Sequence, residues 1–283
     1  MASNPAPLTR NSSVKLGALW LSLLRMLLYL AIGLYLMLVL VAVFLSDRMI
    51  FQPQRSSYQD TPDILKLTTA DGTRISALYL PNPAATYTIL FSHGNAEDLG
   101  DNRQFFEELR RAGFAVFAYD YHGYGTSGGT PSEKTIYSDA DASYEYLTRN
   151  LGIPARHIIS FGRSVGAGAA IDLAARKPLA GLIIQSGFTS AFRVLTRMPL
   201  VPFDKFRNLE KIALVRCPVL IMHGRADRVI PFQHGLQLYE RANQPKMNFW
   251  VERADHNDFE LVAGEGYYKA LKKFSDVLKE SAN

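Results

Sequence analysis

Short apolar runs separated by polar segments recur along the chain from about residue 65 onward. Several are near-continuous stretches of β-branched and aromatic residues, a pattern typical of strands buried on both faces of a sheet. Eight runs fit this description: "LKLTT", "ISALYL", "YTILFSH", "FAVFAYD", "HIISFG", "AGLIIQS", "PVLIMHG" and "KMNFWVE". Each is expected to form one strand.

Segments with the apolar spacing of amphipathic helices lie between these runs. "NRQFFEELRRAG" ends on a glycine that can cap a helix, and "SEKTIYSDADASYEYLTRN" begins with a serine suited to an N-cap. Further helices are predicted in "SVGAGAAIDLAARK", "HGLQLYERA" and "GYYKALKKFSDVLKES". The alternation predicts an α/β fold in which a mostly parallel eight-stranded sheet carries helices on both faces.

The N-terminal region has a different pattern, because the stretch from Met26 to Leu45 contains no charged residue. At about 1.5 Å per residue it would form a helix about 30 Å long, which matches the hydrocarbon core of a bilayer. We predict an N-terminal cytoplasmic segment at 1–25, a transmembrane anchor at 26–45 and one globular domain at 49–283. A cleaved signal peptide is the alternative, although the apolar run is long for one and no small-residue cleavage site precedes Ser46.

Basic residues predict the orientation of this anchor. Arg10, Lys15 and Arg25 precede the span, whereas Arg48 and Arg55 follow it. Since positive charge favours the cytoplasmic side of a membrane, we expect a single-pass protein of the cell membrane. Its globular domain is expected on the non-cytoplasmic side.

Composition narrows the possible partners and cofactors. The chain has 283 residues, 48% of them hydrophobic and 20% charged, which is enough to bury a full core. The net charge is +5, but lysines and arginines alternate with acids, which indicates a solvated surface and not a nucleic-acid partner. Cys217 is the only cysteine, so neither an intrachain disulfide nor a cysteine metal cluster is expected. No metal or organic cofactor is predicted.

One serine stands out because it lies between a predicted strand and a predicted helix. In "IISFGRSVGAGAA", Ser164 is flanked by Gly162 and Gly166 in a G-x-S-x-G pattern. A nucleophilic serine of this kind sits on a strained turn, where a Cβ on either glycine would collide with the neighbouring strand or helix. Ser164 is therefore the predicted nucleophile of a serine hydrolase.

A serine hydroxyl needs a base and an orienting carboxylate, which in this arrangement follow in the order Ser, Asp, His. Asp227 follows the predicted strand "PVLIMHG", and His256 follows "NFWVE". Both lie beyond the carboxyl ends of strands, the edge at which open α/β sheets build their sites. We predict a triad of Ser164, Asp227 and His256.

Other acids and histidines are alternatives to these assignments. Asp255 and Asp258 flank His256, and Asp204 follows the sixth strand, so each could serve as the acid. Asp120 lies upstream of the serine and is expected to stabilise a turn. The remaining histidines considered, which are expected to be structural or exposed, are His122, His157, His223 and His234.

Acyl transfer also requires donors for the developing oxyanion. One is expected from the backbone N–H of Val165, directly after the serine, and the other from an early strand loop. In "FSHGNAEDLG", Gly94 allows close approach of the backbone, so Asn95 is the predicted second donor, with Ala96 as the alternative.

The segment at about 188–213 is predicted to form a short apolar cap over the serine. Its apolar side chains are Phe188, Phe192, Leu195, Met198, Leu200, Phe203 and Phe206. Phe192, Leu195 and Met198 are the candidates for substrate binding. The alternative is that these side chains only pack on the sheet, because their period is irregular and prolines interrupt it.

The chain resembles the α/β-hydrolase fold enzymes, and within them the group around α/β-hydrolase domain-containing protein 17. The resemblance spans roughly Met49 to Lys279 and rests on "FSHGNAEDLG", "YDYHGYGTSGGTPSEK", the Ser164 elbow, "VLIMHGRADRVIPFQHGLQLYERA" and "WVERADHNDFEL". It implies the same triad and an enzyme that removes palmitate from cysteines of membrane proteins. That group carries a cysteine-rich, lipidated N-terminus, whereas this chain has no cysteine before Cys217.

The sequence as a whole predicts a membrane-anchored serine hydrolase of the carboxylesterase, thioesterase or lysophospholipase class. Its expected substrates are acyl esters or thioesters of lipids or acylated proteins, cleaved through an acyl-enzyme. Two alternatives are a catalytically inactive α/β-hydrolase-like binding module and an esterase for small soluble esters.

Overall fold

The computed structural model describes residues 10–196 and 198–281. The chain divides into two compact units, with the boundary between Ser46 and Asp47. The strands are β1 (Ile64–Thr68), β2 (Arg74–Leu80), β3 (Thr88–Ser92), β4 (Ala115–Tyr119), β5 (Ile158–Arg163), β6 (Gly181–Gln185), β7 (Val219–Gly224) and β8 (Lys246–Val251). The α-helices are α1 (Arg10–Phe44), α2 (Ser46–Ile50), α3 (Arg103–Arg111), α4 (Glu133–Glu145), α5 (Gly166–Arg176), α6 (Ala191–Thr196), α7 (Asn208–Lys211), α8 (Gln233–Arg241), α9 (Phe259–Ala263) and α10 (Glu265–Ser281).

The predicted eight-stranded, mostly parallel sheet is confirmed. The strand order is β1-β2-β4-β3-β5-β6-β7-β8. Strand β2 is antiparallel to both of its neighbours, and every other neighbouring pair is parallel. Each strand overlaps the apolar run that predicted it, and β3 to β7 are buried along almost their whole length.

Helices cover both faces of the sheet, as predicted. On one face Phe91 and Phe161 pack with Phe106 of α3 and Phe274 of α10. On the other face the strands pack against α4, α5 and α8. The alternation of side chains along each strand sends one set to each of these cores.

The helix predicted over residues 132–150 changes its type part of the way along. An α-helix runs over Glu133–Glu145, capped by Ser132, and a π-helical turn follows over Tyr146–Asn150. The hydroxyl of Thr148 donates to the carbonyl oxygen of Tyr144 at 2.9 Å. This side-chain hydrogen bond competes for a backbone acceptor, which favours the local departure from regular α-helix.

Helix α1 contains one candidate membrane span, Leu19–Phe44. The span has 26 residues and a mean hydropathy of 2.7, and none of its most apolar part is buried within the protein. It begins before the predicted start at Met26 because a single arginine, Arg25, does not interrupt an apolar helix. A signal sequence near an N-terminus meets the same criteria of length and composition.

The parallel register brings the ends of several strands to one edge of the sheet. Ser92 at the end of β3 pairs with Gly162 of β5, and Arg163 pairs with Gln185 at the end of β6. Strands β7 and β8 continue the same parallel arrangement. The loops that follow these five strands therefore begin at the same carboxyl edge, where α/β sheets place their sites.

Candidate active site

Ser164 lies at the turn between β5 and α5. Its backbone φ of 52° is in the left-handed region, which is strained for a residue that has a Cβ. A Cβ on Gly162 would lie 2.4 Å from the carbonyl oxygen of Gly166, and a Cβ on Gly166 would lie 2.1 Å from that of Ser92. Because both neighbours are backbone atoms of a helix and a strand, only glycine fits at these two positions.

A continuous line of hydrogen bonds joins Ser164, His256 and Asp227. The Nε2 atom of His256 is 3.0 Å from Ser164 Oγ, and its Nδ1 atom is 2.8 Å from Asp227 Oδ2. The three residues come from the turn after β5, the loop after β8 and the loop after β7. This is the geometry in which an imidazole can take the proton of a serine hydroxyl while a carboxylate orients the ring.

The Asp227 carboxylate is buried and accepts several hydrogen bonds. Its Oδ1 atom accepts from the backbone N–H groups of Ile230 at 2.7 Å and Val229 at 3.0 Å. Burial alone would raise the pKa of this carboxyl, but the hydrogen bonds from His223 and His256 outweigh it and hold the pKa well below its ordinary value. The carboxylate is therefore ionised at neutral pH.

The acids that the sequence left as alternatives have other partners. Asp255 Oδ1 accepts the backbone N–H groups of Arg228 at 2.9 Å and of His256 at 2.8 Å. Asp258 accepts the backbone N–H of Asp255 at 2.7 Å, and Asp204 is hydrogen-bonded within the segment that follows β6. Within the described part of the chain, none of these three carboxylates contacts the imidazole.

Three of the other histidines hold loops together. Their partners are Asp139 for His122 at 2.6 Å, the carbonyl oxygen of Thr86 for His157 at 2.7 Å, and the hydroxyl of Thr189 for His234 at 2.9 Å. His223 also contacts its own loop, with its Nε2 atom 2.9 Å from the carbonyl oxygen of Ile230, and the same atom lies 3.4 Å from Asp227 Oδ2. Sequence reasoning missed this neighbour of the site, although its place at the end of a buried strand was a usable signal.

The loop after β3 passes directly beside Ser164. A Cβ built on Gly94 would lie 3.6 Å from the Cβ of the serine. Among residues 10–196 and 198–281, the backbone N–H groups of Val165 and Asn95 donate no hydrogen bond. The backbone N–H of Ala96, the alternative donor, donates none among these residues either, so Val165 with Asn95 or Ala96 stays the predicted pair of oxyanion donors.

The side chain of Asn95 is fixed by contacts that the sequence did not predict. Its Nδ2 donates to the carbonyl oxygen of Ile50 at 2.7 Å, and its Oδ1 accepts from the backbone N–H of Gln52 at 3.0 Å and the Tyr124 hydroxyl at 2.6 Å. These bonds hold the residue from three sides. The tyrosine lies in the "YHGYG" stretch, whose contact with the loop after β3 has no local sequence signal.

The segment after β6 divides into buried ends and an exposed middle. Phe188 and Phe206 are buried and pack edge to face, with ring centroids 5.8 Å apart. Leu195 and Met198 are 77% and 60% exposed, and Phe192 packs edge-on against another aromatic ring of the same segment. The two ends of the segment therefore pack inward, as the alternative to substrate binding predicted. The middle of the segment presents apolar side chains to solvent.

Part of the chain matches a known family model, and the fold is similar to those of solved hydrolases. The family model described as "Serine aminopeptidase, S33" matches residues 83–206. An esterase from Pyrococcus furiosus superposes with a TM-score of 0.68 at 20% identity, covering 81% of this chain and 98% of that one. A monoacylglycerol lipase from Paleococcus ferrophilus superposes with a TM-score of 0.58 at 20% identity, covering 71% and 97%. These likenesses show the fold.

Other relatives are much closer in sequence. α/β-hydrolase domain-containing protein 17B of Xenopus tropicalis is 43% identical over 243 residues, which cover 84% of this chain and 83% of that protein. The Homo sapiens protein of the same name is 42% identical over 234 residues, covering 81% and 80%. With this similarity along most of both chains, the protein belongs to the α/β-hydrolase domain-containing protein 17 family of hydrolases.

Proposed function

We propose that the protein is a membrane-anchored serine hydrolase that cleaves acyl esters or thioesters through an acyl-enzyme. The observation that supports this most directly is the Ser164–His256–Asp227 line of hydrogen bonds, at 3.0 and 2.8 Å, beyond the carboxyl ends of parallel strands. Several solved proteins of the same fold are esterases and one is a monoacylglycerol lipase. Ester chemistry is therefore the first to test.

In the acylation step, the Nε2 atom of His256 takes the proton of the Ser164 hydroxyl as Oγ attacks the acyl carbonyl carbon. The carbonyl oxygen becomes an oxyanion, which accepts hydrogen bonds from the N–H groups of Val165 and Asn95. The imidazolium then gives its proton to the leaving alcohol or thiol, and the acyl group stays on Ser164. Asp227 keeps the ring in the required tautomer and stabilises its positive charge.

In the deacylation step, the same imidazole takes a proton from water. The resulting hydroxide attacks the acyl carbon, the ester bond to Ser164 Oγ breaks, and the serine recovers its proton from the imidazolium. The products are a carboxylic acid and free enzyme. His256 acts as the base or the acid in every proton transfer, so the cycle needs no metal or organic cofactor.

A fluorophosphonate probe tests the proposal against the binding-module alternative. The active enzyme should label covalently at Ser164, because its Oγ attacks phosphorus as it attacks an acyl carbon. An inactive α/β-hydrolase-like binding module would remain unlabelled. Peptide mapping of the labelled protein gives the residue, and labelling at any other serine would reject the proposed nucleophile.

The anchor proposal assigns 1–25 to the cytoplasm, 26–45 to the membrane and 49–283 to the catalytic domain on the non-cytoplasmic side. The catalytic unit of the structure begins slightly earlier, at Asp47, whose carboxylate is 2.5 Å from Lys205 Nζ. The two residues before Met49 are therefore kept in any shortened variant.

Full-length protein is expected to stay in membranes after high-salt and alkaline washes. A variant lacking residues 1–46 should be soluble and still hydrolyse short esters, because the second unit has its own core. Fractionation followed by an esterase assay checks both statements. Soluble protein with a shortened N-terminus, recovered from cells that express the full chain, would instead indicate a cleaved signal peptide.

Medium and long acyl chains are expected to react faster than acetate. Leu195 and Met198 present exposed apolar side chains, and we expect them, together with Phe192, to contact the acyl chain of the substrate. Each buried methylene contributes about 0.8 kcal/mol, so three contribute about 2.4 kcal/mol, or about 60-fold in kcat/KM if the contact persists in the transition state. Monomeric p-nitrophenyl esters of increasing chain length give the profile.

Substitutions in the cap segment test whether its side chains cause the preference for longer acyl chains. Leu195→Ser and Met198→Ser should reduce kcat/KM for octanoate and leave acetate unchanged, because both side chains are exposed and removing them costs little stability. A wild-type profile that peaks at acetate would favour small soluble esters as substrates.

A further inference from the structure

Arg163 directly precedes the candidate nucleophile and carries a largely buried guanidinium. Its Nη2 atom is 2.5 Å from Glu97 Oε2, its Nε is 3.1 Å from Glu97 Oε1, and its Nη1 is 3.0 Å from Glu260 Oε1. The rings of Phe91 and Phe105 lie beside it, each with its centroid 5.3 Å from the guanidinium carbon. The planar group is thus held by two carboxylates and two aromatic rings.

The two carboxylates belong to different segments around the site. Glu97 Oε1 also accepts the backbone N–H of Gly94, which fixes the turn that carries the Asn95 donor. Glu260 lies in α9, directly after the loop that carries His256. The guanidinium of Arg163 therefore connects three segments. They are its own turn, which ends at Ser164, the loop after β3 that carries Asn95 (the oxyanion loop), and the loop after β8 that carries His256 (the histidine loop).

Gln185 closes the cluster from the neighbouring strand. Its carbonyl oxygen accepts the backbone N–H of Ser164 at 2.9 Å. Its side-chain Nε2 donates to Glu260 Oε1 at 2.8 Å, and its Oε1 accepts from the Tyr267 hydroxyl at 2.8 Å. The serine backbone and the helix after the histidine loop are thereby tied to the same group of side chains.

The charges of this cluster depend on one another. Burial disfavours the charged form of Arg163, but Glu97 and Glu260 outweigh it and raise the pKa of the guanidinium. Burial likewise opposes ionisation of Glu97, and the neighbouring guanidinium outweighs it and lowers the pKa of that carboxyl. Without the arginine, two partly buried carboxylates would face each other with no cation between them, and we expect the loops that carry them to move apart.

We propose that Arg163 is a positioning residue that holds the oxyanion loop and the histidine loop in register with Ser164. The inference rests on the proposed function, because it assigns the cluster a role in that reaction. The arginine does not touch the acyl group and acts through Glu97 and Glu260. A displacement of about 1 Å at the reacting atoms costs on the order of 10²-fold in rate.

Substitution of Arg163 by methionine tests this role on the full-length protein. Arg163→Met should lower kcat for p-nitrophenyl butyrate about 10²-fold and change KM less than about 3-fold, because the substrate still binds while the donors are displaced. Arg163→Lys keeps the charge without the fork and should recover part of the lost kcat. An unchanged kcat for Arg163→Met, or a change confined to KM, would overturn the proposal.

Arg176→Met is the matched control. Arg176 also bridges two carboxylates, those of Asp172 and Asp141, but it lies at the far end of α5 from Ser164. Its replacement should reduce stability to a similar or smaller extent and leave kcat within about 2-fold of the wild type. Equal losses of kcat in the two variants would mean that the effect of Arg163→Met reflects general destabilisation.

Combined substitutions ask whether the cluster acts as one unit. Glu97→Gln and Glu260→Gln should each lower kcat about 10-fold, and neither should lower it by that factor again in the Arg163→Met background. Independent, multiplicative losses would show that the glutamates do not act through the arginine. The two single variants also keep the proposal testable if Arg163→Met does not fold.

Hydrogen exchange separates failure of this inference from failure of the proposed function. In Arg163→Met the amides of 94–98 and 256–262 should exchange faster, while those of β7 stay protected as in the wild type. If the wild-type protein hydrolyses no ester, the proposed function fails and this exchange pattern still decides whether the arginine holds the loops. If the wild type is active and neither exchange nor kcat responds to the substitution, the positioning role alone is wrong.

Discussion

Replacement of Ser164 by alanine is expected to abolish ester hydrolysis and fluorophosphonate labelling while the protein stays folded. Removal of the Oγ atom leaves no nucleophile, and the loss in kcat should be on the order of 10⁶-fold. The lost hydrogen bond to His256 costs only about 1 kcal/mol of stability. Alanine also keeps the Cβ that already occupies the strained turn, so the backbone conformation need not change.

Ser186→Ala is a matched control for this variant. Ser186 follows β6, is buried, and has a positive φ of 49°, close to the 52° of Ser164. Its hydroxyl has no hydrogen-bond partner among the described residues. The control removes one buried hydroxyl from the same kind of turn and should keep full activity. If Ser164→Ala retains more than a few per cent of the wild-type rate, the nucleophile is another residue.

The strands could be predicted because their signal is local. Strands β3 to β7 are buried on both faces and are therefore apolar at nearly every position, whereas the less buried edge strands β1 and β8 keep enough apolar residues to be recognised. The elbow is local as well, since Gly162 and Gly166 lie within two residues of Ser164 and the collisions they avoid come from the adjoining helix and strand. A nucleophilic serine needs a base and an orienting acid. In this arrangement both follow the serine in the chain, which made Asp227 and His256 the candidates.

The supports of the site could not be predicted because they are not local. Arg163 meets Glu97 and Glu260 across 66 and 97 residues of chain. Asn95 is held by Ile50 across 45 residues. No periodicity relates such positions. Parallel strands bring the segments of Arg163, Glu97 and Glu260 to one edge of the sheet, whereas Ile50 comes from helix α2, before the first strand. A buried arginine directly before Ser164 requires a carboxylate nearby. The sequence contains many acidic residues, however, and does not show which of them is the partner.

The cap segment shows a different limit. Its apolar residues have no regular period, so the sequence could not separate side chains that pack inward from those that face solvent. In the structure Phe188 and Phe206 are buried, whereas Leu195 and Met198 are exposed. Helix α6 packs Ala191 and Val194 against the core and leaves Leu195 facing solvent, and Met198 follows the end of this helix.

Asp227→Asn is expected to lower kcat by about 10⁴-fold, whereas Asp255→Asn should change it less than about 3-fold. An asparagine at 227 can still accept the N–H of Ile230, but its amide would then donate towards His256 Nδ1. This favours the tautomer with the proton on Nε2, which cannot accept the proton of Ser164.

At position 255 the expected effect is small because the carboxylate contacts the backbone N–H of His256 and the side chain of Arg228, which is exposed. An amide oxygen can still accept the backbone N–H of His256, and loss of the surface ion pair with Arg228 costs little. Both variants remove one negative charge next to His256. They differ mainly because the carboxylate of Asp227 contacts the imidazole ring and that of Asp255 does not. Steady-state kinetics with p-nitrophenyl butyrate measure the two losses, and the reverse ranking in kcat would make Asp255 the orienting acid.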